Sequence, residues 1–167
     1  MRRMSKENLK NAFAGESQAY MKYILFAKKA EEEGFKNIAR LFKAIAYAEQ
    51  VHASNHLQAL GLICSTSDNI KNAIEGGRYE VEEMYPSYNA VAKLQEEREA
   101  ERTTSWALQA EKIHLTMYQK ALKMVEGGKD IEISDIYICE KCGYTVEGEL
   151  PERCPICGAP NERFKKF

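Results

Sequence analysis

The sequence lacks the features that mark membrane, secreted and nucleic-acid-binding proteins. No stretch of the 167-residue chain approaches the ~20 consecutive apolar residues that a membrane-spanning helix needs. The first residues, MRRMSKENLKNAF, contain no apolar run of signal-peptide length. The net charge of −1 provides no broad basic surface for nucleic acid or an anionic membrane. These absences predict a cytoplasmic globular protein without nucleic-acid or membrane partners.

Cysteine and proline are nearly absent from the first 130 residues, which contain only Cys64 and Pro86. This part of the chain is rich in Ala, Glu, Lys and Leu, which favour helices. After Gly127 and Gly128 come β-branched and aromatic residues, three prolines and the other four cysteines. The change in composition predicts a linker near 127–135, with a helical domain at 1–130 and a small domain at 135–167.

The helical part contains an internal repeat. NLKNAF begins at Asn8 and returns as NIKNAI at Asn69, whereas AEQVH begins at Ala48 and returns as AEKIH at Ala110. The two offsets are 61 and 62 residues. Because a repeated helix pair makes a duplicated hairpin, the sequence predicts a four-helix bundle.

We expect the four helices at about 5–33, 36–62, 69–97 and 101–126. Ser5 is the expected N-cap of the first helix, and Gly34 its C-terminal stop. No glycine or proline marks a turn between the third and fourth helices. Three possibilities therefore stay open: a glycine-free turn, one long helix, or exchange of helices between protomers.

Three of these helices place a glutamate on their apolar side. The residues are Glu16, Glu49 and Glu111, and His52 and His114 follow the last two at i+3. A buried carboxylate without a partner costs several kcal/mol, and no Arg or Lys lies on these stripes. Divalent cations would compensate, and Glu-x-x-His on two helices with Glu on the other two is the ligand pattern of di-iron and di-manganese bundles. The pattern predicts a two-metal site.

The third helix must supply the remaining carboxylates. The repeat spacing places Gly77 opposite Glu16, so the matching carboxylate is absent there. Glu80 and Glu83, one and two turns later, are the expected ligands. Glu82 points about 100° away from Glu83 and is expected on the solvated face.

Five other residues of the helical part can also be interpreted from the sequence. Pro86 removes a helical hydrogen bond beside the third-helix carboxylates and is expected to loosen that turn. His56 is either a hydrogen-bonding residue behind the ligands or a core histidine. Tyr23 and Tyr88 are candidates to donate hydrogen bonds to ligating carboxylates. Cys64 is interpreted as a small core or loop residue.

The C-terminal segment contains two Cys-x-x-Cys pairs, in CEKCGY and CPICGA. Four thiolates at this spacing bind one tetrahedral ion, zinc or iron. The ligands alone do not separate a zinc ribbon from an iron centre. Iron is favoured because an Fe(Cys)4 centre would pass electrons to a neighbouring di-iron site, which zinc cannot do. The four predicted ligands are Cys139, Cys142, Cys154 and Cys157.

In this order, the motifs GES, AEQVH, YEVEEMYP, AEKIH and CEKCGY…CPICGAP resemble the rubrerythrin family over essentially the whole chain. The resemblance implies a ferritin-like four-helix bundle followed by a rubredoxin-like domain. It implies two Fe in the bundle, with Mn or Zn as possible substitutes, and one Fe in Fe(Cys)4. It also implies that Glu49 and Glu111 bridge the metals, and that one iron exchanges Glu83 for His52 on a change of oxidation state. The implied di-iron ligands are Glu16, Glu49, Glu80, Glu83, Glu111 and His114.

The same resemblance implies a non-haem peroxidase that reduces hydrogen peroxide to water in oxidative-stress defence. Electrons would enter through Fe(Cys)4 from an NAD(P)H-dependent reductase or a small rubredoxin. Two other hypotheses stay open: ferritin-like iron oxidation and storage, and a zinc-ribbon interaction module on a structural bundle. The sequence departs from the family pattern at Gly77 and in a shortened connection before the fourth helix.

The expected assembly is a homodimer, with helix exchange between protomers as an open alternative. Glu111 and His114 precede the end of the fourth helix by ~20 Å of helix, at about 1.5 Å per residue. Unless the linker folds back, the small domain would therefore begin far from its own bundle ligands. A head-to-tail dimer in which electrons cross between chains follows from that separation.

Overall fold

The computed structural model describes all 167 residues and divides them into two compact units, Met1–Cys64 and Ser65–Phe167. The first unit is a hairpin of α1 (Arg3–Glu32) and α2 (Lys36–Ala59). The second unit contains α3 (Thr66–Tyr79), a π-helical segment (Glu80–Met84), α4 (Tyr85–Leu94), α5 (Arg98–Glu126), β1 (Ile136–Cys139), β2 (Thr145–Glu147), a 3-10 turn (Asn161–Arg163) and β3 (Phe164–Lys166). The mainly helical fold with a small cysteine-bearing sheet confirms the sequence prediction. None of the helices combines the length and apolarity needed to cross a membrane.

The turn between α1 and α2 has the geometry that the glycine predicts. Gly34 has a φ of 86°, and the Phe35 N–H donates to the Ala30 carbonyl at 2.8 Å. This 6→1 bond satisfies a carbonyl that the helix end would otherwise leave free. The Ser5 N-cap prediction is wrong, because the Lys6 N–H already donates to the carbonyl of Arg2 and the helix begins earlier.

The turn between α4 and α5 repeats that geometry without glycine. Glu96 has a φ of 59°, and the Glu97 N–H donates to the Ala92 carbonyl at 2.9 Å. Glu96 follows Gly34 by 62 residues, which is the offset of the sequence repeat. The glycine-free turn therefore exists, and the possibility of one continuous helix is wrong.

The prediction of one helix at 69–97 is wrong, because this region is divided into α3, the π-helical segment and α4. The Tyr85 N–H donates to the Glu80 carbonyl, an i→i−5 bond that inserts one extra residue into the turn. Pro86 has no N–H to continue the regular ladder, which explains why the irregular turn lies immediately before it. The segment carries two of the predicted ligands, Glu80 and Glu83.

The first unit packs its two helices through small residues and one aromatic cluster. The Phe26 and Phe42 rings meet edge to face at 5.6 Å between centroids, and Tyr23 lies about 6 Å from both. The apolar stripe of α2 consists of Ile38, Leu41, Phe42 and Ile45, which recur at helical spacing. Ile38 and Leu41 of this stripe are exposed. The buried positions are Ala27, Ala30, Ala39, Ala46 and Ala53.

The C-terminal residues form a three-stranded antiparallel sheet in the order β2-β1-β3. Its register pairs Ile138 with Thr145 and Cys139 with Phe164. The apolar core is small and consists of buried Cys139, Cys154 and Ala159 with partly buried neighbours. A core of this size contributes little folding free energy, so the module depends on its cysteine site.

We predict that Glu96→Gly stabilises the protein by about 1 kcal/mol. A left-handed backbone conformation costs a residue with a side chain about that much free energy, and glycine does not have this cost. The matched change Gly34→Ala should destabilise by a similar amount. An ideal Cβ at Gly34 meets no atom within 4 Å, so that cost comes from the backbone conformation alone. Urea unfolding midpoints measure both changes. A lower midpoint for Glu96→Gly would contradict the prediction.

Candidate metal centre

The first unit brings together Glu16, Glu49 and His52, one potential ligand atom from each lying within 4.8 Å of the others. His52 Nδ1 lies 3.0 Å from Glu49 Oε2 and 3.9 Å from Glu16 Oε1. Glu49 and His52 converge because residues three apart share a helix face, and α1 packs against α2 to add Glu16. Two carboxylates and an imidazole at this separation are a donor set for a divalent cation.

The second unit contains the repeated pair with the same local geometry. His114 Nδ1 lies 3.1 Å from Glu111 Oε2. The pKa of Glu80 is raised by burial and by the negative charge of Glu111, while His114 acts in the opposite direction. These effects place three of the predicted ligands in one electrostatic environment, where a cation would relieve the repulsion between the two carboxylates.

The remaining third-helix carboxylates are exposed. No hydrogen bond or ion pair joins the Glu83 carboxylate to Glu80, Glu111 or His114, although the Glu83 carbonyl accepts from Ser87 Oγ. Glu82 is exposed, as the sequence predicts for a solvated face. The assignment of Glu83 as a ligand therefore stays a prediction.

The tyrosine beside the carboxylates is Tyr85, which the sequence analysis missed. Burial and the charges of Glu80 and Glu111 raise the pKa of its hydroxyl. Tyr88, the predicted donor, is exposed and packs edge to face on Tyr85. Glu80 and Tyr85 are joined by the i→i−5 hydrogen bond of the π-helical segment. Regular helical spacing of three or four residues does not predict that Tyr85 lies beside Glu80.

The other predicted donor, Tyr23, belongs to the aromatic cluster of α1 and α2. His56 is half-buried in the last turn of α2 and lies outside the Glu16–Glu49–His52 cluster. Cys64 is exposed at the end of the first unit, which agrees with the loop interpretation and not with the core one.

The linker after α5 folds back and brings the cysteine module to the ligands of its own helix. Thr145 Oγ1 lies 2.7 Å from His114 Nε2. An ideal Cβ at Gly143 would lie 3.9 Å from the Cβ of Ala110 on the same helix. The linker therefore takes the fold-back course that the sequence left open, and the module does not begin far from its own Glu111 and His114.

The four C-terminal cysteines form a second donor set. Their sulfur atoms lie within 4.8 Å of one another, with 3.7 Å between Cys139 and Cys157 and 3.4 Å between Cys142 and Cys154. A tetrahedral ion with metal–sulfur bonds of ~2.3 Å requires sulfur separations of ~3.8 Å. These distances fit one Zn²⁺ or Fe ion.

The two cysteine turns are built alike. The Gly143 N–H donates to the Cys139 carbonyl and the Gly158 N–H to the Cys154 carbonyl, each at 2.9 Å, and both glycines have positive φ. Burial raises the pKa of the Cys142 thiol. Metal binding must therefore displace protons from at least part of this site.

Comparison with known proteins shows the family of this chain. The rubrerythrin family model matches residues 7–122, and that of the rubrerythrin rubredoxin-like domain matches residues 137–165. Rubrerythrin-2 of Clostridium acetobutylicum is 43% identical, covering 98% of this chain and 97% of that protein. Nigerythrin of Nitratidesulfovibrio vulgaris is 33% identical, covering 96% and 85%.

A solved structure described as the fully reduced, all-ferrous state of nigerythrin superposes with a TM-score of 0.56. It is 32% identical, and the match covers 98% of this chain and 86% of that one. Together with the family models, this similarity confirms the ferritin-like and rubredoxin-like fold class.

We predict that removing metal from the four-cysteine site with a chelator and a thiol reductant unfolds residues 136–167 but leaves the helices folded. Metal binding supplies roughly 10 kcal/mol or more to small cysteine modules, and the core here is too small to replace it. Two-dimensional NMR should show loss of the contact between the Tyr144 and Phe164 rings, now 6.2 Å apart, while helical circular dichroism persists. Survival of that contact without metal would contradict the prediction.

Proposed function

Because the chain belongs to the rubrerythrin family, we propose that it is a non-haem di-iron peroxidase that reduces hydrogen peroxide to water. The observation that carries the proposal is the presence, in one chain, of two Glu-x-x-His pairs and a four-cysteine site. The Glu-x-x-His pairs suit two metal ions that react with a substrate, and the four-cysteine site suits a metal ion that transfers electrons. Zinc at the cysteines would leave the pair without a source of electrons.

The overall reaction is H2O2 + 2 e⁻ + 2 H⁺ → 2 H2O. Bound in the Glu and His donor set, a ferrous pair would supply two electrons together with Lewis acidity toward the peroxide oxygens. The helices hold the donors in place, and the Tyr85 hydroxyl, whose pKa is raised by burial and by the charges of Glu80 and Glu111, lies beside them as a hydrogen-bond donor. We assign the pair to Glu16, Glu49, His52, Glu80, Glu83, Glu111 and His114.

The electron donor in this proposal is an NAD(P)H-dependent reductase or a small rubredoxin. With iron bound, the four cysteines would hold a one-electron carrier that this donor could reduce and that could supply electrons to the metal pair. A cytoplasmic location fits this role, because the reducing compartment keeps cysteine ligands as thiolates instead of disulfides. The physiological role that follows is defence against peroxide.

We further propose a homodimer that exchanges its helical hairpins between protomers. The apolar stripe of α2 supports this, because Ile38 and Leu41 remain exposed and would be buried by another hairpin. The contact of Thr145 with His114 keeps the electron-entry module with the ligands of α5. In the exchanged dimer, each metal pair combines the first unit of one chain with the second unit of the other.

We predict that Glu49→Ala and Glu111→Ala each abolish peroxidase activity, because both are assigned as bridging ligands that serve two ions. The visible spectrum of the Fe(Cys)4 centre should be unchanged, and wild-type protein should contain three irons per chain. Glu82→Ala is the matched control, because it removes an exposed carboxylate from the same π-helical segment and should retain activity. Near-native turnover by either bridging variant would contradict the ligand assignment.

We predict different outcomes for two mixtures of inactive chains. Glu49→Ala mixed with Cys157→Ser should recover up to about half of the wild-type activity per verified heterodimer, since one composite site then has an intact first unit and an intact second unit. Glu111→Ala mixed with Cys157→Ser should stay inactive, since both lesions lie in the second unit and each site receives one.

Other assemblies give other patterns in the same assay. A dimer without exchange, in which electrons cross between chains, restores activity in both mixtures. A protein without exchange, in which each module serves its own chain, restores neither. Size-exclusion chromatography with light scattering confirms that the mixed chains are dimers, and either alternative pattern contradicts the exchanged dimer.

A further inference from the structure

The cysteine module lies along α5 in a regular register. Two residues of extended chain advance about 6.6 Å, and four residues of helix about 6 Å, so alternate residues of the first cysteine turn and β2 can face successive turns of the helix. The contacts follow this pattern in the pairs Lys141–Trp106, Gly143–Ala110 and Thr145–His114, whereas Glu147 contacts Lys120, six residues after His114. Only one of these pairs touches a predicted metal ligand.

In that pair Thr145 is buried and His114 is partly buried. Thr145 is 4% exposed, and its hydroxyl donates its single proton to the Gly143 carbonyl at 3.1 Å. When Nδ1 of His114 binds a metal ion, Nε2 carries the ring proton and can donate to this oxygen, which lies 2.7 Å away. The Thr145 contact therefore suits the protonation state that metal binding through Nδ1 requires.

The consequence appears at the other ring nitrogen. With the proton at Nε2, Nδ1 has a free lone pair, and this lone pair lies 3.1 Å from Glu111 Oε2. A lone pair and a carboxylate oxygen repel at this distance, whereas a cation bound by both is attracted to each. The Thr145 contact thus suits the tautomer in which His114 binds metal together with Glu111.

The repeated pair in the first unit has no such contact. His52 Nδ1 lies 3.0 Å from Glu49 Oε2, which matches the His114 geometry, but no hydrogen bond is made at its Nε2. The His52 side chain is 54% exposed, compared with 31% for His114. Two ligand pairs of one sequence pattern therefore differ in whether the ring is fixed.

We propose that Thr145 is a positioning residue that fixes His114 as a permanent metal ligand, so that docking of the cysteine module on α5 and metal binding by the Glu111–His114 pair are coupled. His52, without this contact, is free to change its orientation. The proposal rests on the proposed two-metal site, but not on the peroxidase reaction.

The test compares Thr145→Val, which keeps the shape and removes the hydroxyl, with Thr145→Ser, which keeps the hydroxyl. Full-length protein is titrated with Co²⁺, whose absorption separates the four-cysteine site from the Glu and His site. Thr145→Val should weaken Co²⁺ binding at the Glu and His site about tenfold or more, the usual effect of losing a hydrogen bond to a ligating histidine. Thr145→Ser should remain within about twofold of wild type.

A second readout follows the proton itself. In the Zn²⁺-loaded full-length protein, ¹⁵N NMR should show His114 protonated at Nε2 in wild type and in Thr145→Ser. The slowly exchanging Nε2–H signal should disappear in Thr145→Val. The four-cysteine absorption band of Co²⁺ must be retained in each variant, which confirms that the module is folded.

Glu147→Gln is the matched control for a contact of the module with α5 away from the ligands, because it removes only the exposed Glu147–Lys120 ion pair at 3.2 Å, which contributes little to docking. Its Co²⁺ affinity should stay near that of wild type. The inference is overturned if Thr145→Val binds Co²⁺ as wild type does, or if Glu147→Gln weakens binding equally. Weakened binding by Thr145→Val in a protein without peroxidase activity would support the inference and refute only the proposed reaction.

Discussion

Carboxylates placed on one side of a helix beside an imidazole require a positive charge, and the metal chemistry of this protein follows from that requirement. In each unit a histidine Nδ1 lies about 3 Å from a glutamate oxygen, and no lysine or arginine forms an ion pair with either glutamate. Burial, and then the negative charge of Glu111, raise the pKa of Glu80. In each unit the donors therefore form a set that a cation would stabilise.

The duplicated hairpin was readable from the sequence because repetition survives at the level of residues and also of backbone. The 61- and 62-residue offsets predicted paired helices, and Gly34 predicted the first turn. The turn between α4 and α5 was ambiguous because a glutamate does not indicate positive φ. Glu96 nevertheless has positive φ, and the turn has the hydrogen bonds that usually form around a glycine at the end of a helix. The backbone at Glu96 thus has the same left-handed conformation as Gly34, although the residue is not a glycine.

The parts that escaped prediction depend on non-local or irregular geometry. The π-helical turn shifts Tyr85 beside Glu80, a neighbour that 3.6-residue periodicity does not place there. The fold-back of the linker is a tertiary event, so spacing along α5 suggested a long separation where the structure has a 2.7 Å contact at Thr145. By contrast, the Cys-x-x-Cys turns and the Glu-x-x-His pairs were predictable because each is complete within one short segment.

The register between the cysteine module and α5 has a consequence for how this chain tolerates change in length. Alternate residues of the strand face the helix, so one residue inserted between Cys142 and Glu147 would turn each following side chain to the opposite face. The stretch from 129 to 135, which has no regular secondary structure, is under no such restriction. Natural variation in this architecture should therefore concentrate insertions and deletions in the connecting stretch, while the count of residues after the first cysteine pair stays constant.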